Sequence, residues 1–129
     1  MKKAAFPKPT EAELAILHVL WERGSATVRD VWEHMDSAHG KGYTTVLKTL
    51  QIMLEKGLVE RNVTARSHVY HAAHSKEETQ SQMVGHVLES VFSGSARNLV
   101  MRALSVKKAS PEELAQIRSL LDEMERRTK

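Results

Sequence analysis

The chain has no cysteine. That excludes disulfides, thiolate metal sites and a cysteine nucleophile, and it fits a reducing compartment. Aromatic residues make up 5% of the 129 residues, so the core must be aliphatic, built mainly from Leu, Val and Met. Hydrophobic residues still reach 41%, enough to support a folded protein. No apolar run approaches the ~18 residues of a membrane span. The opening Met1-Lys2-Lys3-Ala4-Ala5-Phe6-Pro7 is basic but lacks a secretory apolar stretch, so a cytoplasmic protein with no membrane partner is expected. Glycine-rich phosphate loop, nucleophile elbow and HExxH are all missing. Acidic residues sit mostly at helix starts, where capping and the helix dipole account for them. Neither an enzyme nor a cofactor is expected. A large charge excess is missing too. The net charge is +3, with ten Lys/Arg against eight Asp/Glu in residues 1–74 and nine against eight in 75–129. Any nucleic-acid partner must therefore be met by locally placed charge.

What is present is a series of helix signals. Thr10-Glu11-Ala12-Glu13 reads as a capping box. It opens a helix carrying Leu14, Leu17, Leu20 and Trp21 on one side and ending at Gly24. Ser25-Ala26 is read as a link. Thr27 caps a second helix, with Asp30 in the reciprocal position and Val28, Val31, Trp32 and Met35 as its apolar stripe. Ser37 to Gly42 is a polar break, and a third helix runs from about Tyr43 to Lys56, closed by Gly57. Two short extended runs follow, Leu58–Arg61 and His68–Ala72, joined by the polar segment Asn62–Ser67, which reads as a hairpin. Beyond His74 the pattern is helical throughout. Ser75-Lys76-Glu77-Glu78 is a further capping box, Leu99 to Leu104 marks a shorter helix, and Ser110-Pro111-Glu112-Glu113 starts the last one.

Helix, helix, break, helix, hairpin is the order of a winged helix-turn-helix, in which the third helix enters the major groove. At ~100° per residue, Val46, Leu47, Leu50, Met53 and Leu54 share one sector and should pack inward. The opposite sector holds Thr44, Thr45, Lys48, Ile52 and Glu55. Thr45 and Lys48 suit base edges, Thr44 suits phosphate, and an exposed Ile52 suits a groove wall or a thymine methyl. A solvated helix face is the plainer reading of the same residues. Arg61 and Arg66 lie on or beside the hairpin, where they could reach backbone phosphate; for either alone, a solvated surface role fits as well.

The run Thr44-Thr45-Val46-Leu47-Lys48-Thr49-Leu50, followed by Leu54-Glu55-Lys56-Gly57-Leu58-Val59, resembles the penicillinase repressor family (BlaI/MecI/CopY). So do Pro9 to Leu17 with Leu20-Trp21, Val31-Trp32, and the tyrosine of His68-Val69-Tyr70. The resemblance spans most of residues 8–128. It implies a homodimeric repressor of an inverted-repeat operator, with the third helix reading bases and the C-terminal helices dimerising. It also implies that Thr44, Thr45 and Lys48 contact DNA, with Arg66 on the wing. Two departures stand out. Copper-responsive members carry a C-terminal cysteine cluster, which this chain lacks. Members released by a sensor protease are cut at an Asn-Phe bond in the middle C-terminal helix, where Arg102-Ala103 stands here. That departure puts a sensor protease in question as a partner.

The C-terminal helices have more apolar face than one chain of about 55 residues can cover. Met83 to Phe92 form one such face and Leu114 to Met124 another. Two interlocking copies would bury both and would fix the half-site spacing; the alternative is that these faces pack back on the N-terminal domain. Val87, Leu88, Val91, Leu99, Ile117, Leu120 and Leu121 are the expected interface residues. The histidines have a plainer explanation. His68, His71 and His74 recur every three residues, yet positions 68 and 71 of a strand face opposite ways, so no metal site is expected. The fold class is mainly α with a small β-hairpin. Residues 1–74 would form a winged helix-turn-helix DNA-binding domain and 75–129 a helical dimerisation domain. The reading is a dimeric repressor on double-stranded operator DNA. The alternative is a winged-helix protein–protein interaction module that does not bind DNA.

Overall fold

The structure, a computed structural model, describes residues 6–39, 42–63 and 68–128. Its elements run α1 (Glu11–Arg23), β1 (Ala26–Thr27), α2 (Val28–His39), α3 (Tyr43–Lys56), β2 (Val59–Asn62), β3 (Val69–Ala72), α4 (Lys76–Ser90), α5 (Ala96–Val106) and α6 (Pro111–Arg127). The chain packs as two compact units, residues 1–84 and 85–129, and the division falls inside α4.

The helix starts follow from local side-chain chemistry. Thr10 Oγ1 accepts the Glu13 N–H at 3.1 Å, and Glu13 Oε1 accepts the Thr10 N–H at 2.9 Å. The same reciprocal pair forms between Thr27 and Asp30, Ser75 and Glu78, and Ser110 and Glu113. Each satisfies two backbone donors that a helix start would otherwise leave orphaned. α2 continues through Ser37 to His39, beyond the start of the expected break.

In the first unit, α1, α2 and α3 pack around an aliphatic core. Leu17, Leu20, Val31, Leu50 and Met53 are buried there with Leu58, Val59 and Tyr70 from the sheet segment. Fully burying a side chain of this kind stabilises by about 1.5–3 kcal/mol. The expected hairpin is present. β2 and β3 are antiparallel with Val59 opposite Ala72 and Glu60 opposite His71. The residues read as a link contribute a third strand, because Ala26 and Thr27 pair with Tyr70 and Val69, giving the order β1-β3-β2. Two residues are too short for an alternating pattern to show, so the strand exists only through its partner.

The segment ahead of α1 is fastened to the same unit. Phe6 stacks on the His74 ring, with centroids 3.9 Å apart, and its backbone N–H and C=O both bond the Gln82 side chain. Trp21 Nε1 donates to the His74 carbonyl at 3.0 Å, tying α1 to the chain after β3.

The second unit differs in kind. Among its described residues not one is buried. Val100, Met101, Leu114, Leu120, Leu121 and Met124 are all exposed. Val91 lies past the end of α4, in the turn that follows.

Candidate nucleic-acid interface

α3 has two distinct faces. Val46, Leu50 and Met53 are buried, and Leu47 and Leu54 are partly buried against the core. Thr44, Thr45, Lys48, Ile52 and Glu55 are all exposed. The helix period alone separates the sets, since the buried positions recur at spacings of three and four. Thr49, at the edge of the outward face, turns its hydroxyl back to the Thr45 carbonyl at 2.8 Å. The N-cap of α3 is Gly42, which has no side chain to occupy the first N–H groups, and such groups favour anions. At the other end Gly57 adopts the left-handed conformation, φ 80° and ψ 18°, and turns the chain into β2.

The two lysines of α3 differ in role. Lys56 Nζ is held by the buried carboxylate of Glu13, 2.8 Å away. Lys48 stands on the outward face. Arg61 is exposed on β2. Arg66 lies outside the described residues.

Beside the first turn of α3 is an open cleft of about 420 Å³, bounded by α2, α3 and β3. Val28, Leu47 and Tyr70 form its apolar part, and Arg29, Tyr43 and His68 its polar part. The sequence reading did not single out Arg29 or Tyr43. They begin neighbouring helices and become neighbours only when α2 and α3 pack. Arg29 also meets Glu33 at 3.3 Å and lies 5.9 Å from the Trp32 ring, which in turn meets Tyr43 edge-on at 6.0 Å. Close by, Asp30 is held below the ordinary aspartate pKa, first by the Thr27 backbone N–H, then by the Thr27 hydroxyl and the Arg23 charge.

The three spaced histidines have three different surroundings. His68 borders the cleft, His71 Nε2 pairs with Glu60 Oε1 across the hairpin at 2.9 Å, and His74 stacks on Phe6. His34 faces Glu22 at 3.6 Å.

Residues 9–123 match the family model described as penicillinase repressor. The transcriptional regulator BlaI of Mycobacterium tuberculosis (strain CDC 1551 / Oshkosh) is 30% identical over 117 residues, which is 89% of this chain and 83% of that protein. The penicillinase repressor of Bacillus licheniformis is 24% identical over 130 residues, covering 100% of this chain and 99% of the relative. Among solved structures, the DNA-binding domain of the repressor BlaI superposes with a TM-score of 0.51 at 23% identity, over 60% of this chain and 93% of that domain. That likeness shows the winged-helix fold. Among the described residues no helix is long and apolar enough to cross a membrane. A match of this extent, on a winged helix whose third helix turns one full face outward, places the chain in the penicillinase repressor family of transcriptional repressors, which are not enzymes.

Proposed function

We propose that the protein acts as a homodimer in the cytoplasm and represses transcription by binding an inverted-repeat operator, with α3 of each protomer in the major groove. The observation that carries this reading is the division of α3 into a buried face and an exposed face bearing Thr44, Thr45, Lys48 and Ile52. Thr45 and Lys48 reach base edges and Thr44 reaches phosphate. Arg66 adds a wing contact to the backbone. The solved BlaI domain of the same fold is a DNA-binding domain, which supports the assignment.

Dimerisation is supported by the second unit, where no described residue is buried and apolar side chains line α5 and α6. Residues 1–74 then read DNA and 75–129 join the protomers through Val87, Leu88, Val91, Leu99, Ile117, Leu120 and Leu121. Arg102-Ala103 lies in α5, where the resemblance implies that protease-released members carry a cleaved Asn-Phe bond, which puts a sensor protease in question as a partner. The test is selection of bound duplexes from a randomised pool by the full chain. An enriched inverted repeat is expected. No enrichment, together with no gel shift, would hand the lead to a protein-interaction module.

A further inference from the structure

α3 carries two lysines, and Lys56 is committed to Glu13, which leaves Lys48 on the outward face. Duplex affinity depends on several cationic contacts to phosphate. Further donors must come from elements flanking α3, and the cleft beside its first turn supplies them. In its apolar part the half-buried Leu47 side chain, above the buried Val28 and Tyr70, suits the C–H face of a sugar. Its polar part, formed by Arg29, Tyr43 and His68, offers a guanidinium, a phenol and an imidazole. No carboxylate is among the described residues that line it.

Arg29 is poised for exchange. Its pair with Glu33 is exposed on both sides, and such pairs contribute little. A phosphate offers the same guanidinium a charge-assisted, bidentate contact. Trp32 lies against both Arg29 and Tyr43, so one ring keeps the two donors together at the cleft.

We propose that this cleft seats one deoxyribose–phosphate unit of the DNA backbone beside the bases read by α3. Arg29 is the charged donor, with the Tyr43 hydroxyl and the His68 ring beside it. The proposal rests on the reading of α3 as the groove helix and extends the backbone contacts to residues outside α3 and the wing.

The test titrates full-length wild type, Arg29→Gln, Tyr43→Phe and Lys48→Ala against the duplex selected from a randomised pool and against a random-sequence duplex, over a series of salt concentrations. Arg29→Gln should weaken both duplexes by the same factor, about tenfold, and lower the log–log salt slope by about two in the dimer, one phosphate per protomer. Tyr43→Phe should weaken both about threefold and leave the slope unchanged. In ethylation interference, one of the phosphates in each half-site that matter to wild type should become silent in Arg29→Gln, the others remaining. Arg29 is exposed, so its variant should melt at the wild-type temperature. An unchanged salt slope and an unchanged interference pattern would overturn the proposal. So would a shift in the selected sequence, or inorganic phosphate bound by wild type and lost in Arg29→Gln while DNA binding stays intact. If Lys48→Ala acts while Arg29→Gln is silent, the cleft proposal falls and the groove reading stands. If both are silent, both fall.

Discussion

Glu13 and Lys56 join the start of α1 to the end of α3. Lys56 Nζ donates to Glu13 Oε2 at 2.8 Å, while Glu13 Oε1 accepts the Thr10 N–H at 2.9 Å. One carboxylate therefore completes a capping box and anchors α3. The Glu13 side chain is 4% exposed and that of Lys56 33%. Burial pushes the Glu13 pKa up, but the bonds from Lys56 and Thr10 and the lysine charge outweigh it, and the carboxyl sits below its ordinary value.

A depressed carboxyl stabilises the fold above its unfolded pKa, and the contribution is lost as pH falls through the folded value. Wild type should therefore lose stability below about pH 4.3, and Glu13→Gln should show a flatter acid limb. Glu13→Ala should cost about 2–3 kcal/mol at neutral pH, below the full value for a buried pair because Lys56 retains partial solvation. Urea unfolding across pH at fixed protein concentration measures both. Identical acid limbs for wild type and Glu13→Gln would show that this carboxyl does not set the acid response.

Lys48→Ala and Thr45→Ala should each lower operator affinity by about 1–3 kcal/mol per half-site and relax specificity at the base they meet. Random DNA should be affected far less. Arg66→Ala should weaken operator and random DNA alike and reduce the salt slope by roughly 0.9 for each phosphate that is no longer neutralised. Titrations on both duplexes decide between the roles, and an equal loss for Lys48→Ala would make that lysine a phosphate ligand.

Sedimentation at micromolar concentration should give about twice the 14.5 kDa chain mass. Leu120 and Leu121 are 54% and 56% exposed in the single chain, so replacing both with Asp costs the isolated protomer little. The same replacement should weaken the dimer and, with it, operator binding, because two half-sites are then no longer engaged as one. A persistent monomer in the wild type would sink the dimer.

Gly57→Ala should destabilise by about 1 kcal/mol. Nothing stands within 4 Å of an added Cβ there, so the cost comes from the left-handed backbone alone. Thermal unfolding reads the loss. A neutral substitution would show that the turn from α3 into β2 relaxes to another conformation.

Much of this protein was legible along the chain. The capping boxes at Thr10, Thr27, Ser75 and Ser110 each join residues three apart, so their chemistry is complete within one turn. The two faces of α3 follow from the helix period, and Thr44, Thr45 and Lys48 stand out together for that reason. The relationships read only from the folded chain span much longer separations. Lys56 and Glu13 are 43 residues apart, Trp21 and His74 are 53, and Phe6 and Gln82 are 76. β1 has two residues and exists because Tyr70 and Val69 lie alongside it. Arg29, Tyr43 and His68 come from three elements and border one cleft only after α2, α3 and β3 have packed. Local hydrogen bonds and periodicity are written in neighbouring residues, whereas an ion pair or a cleft depends on which surfaces the core brings together.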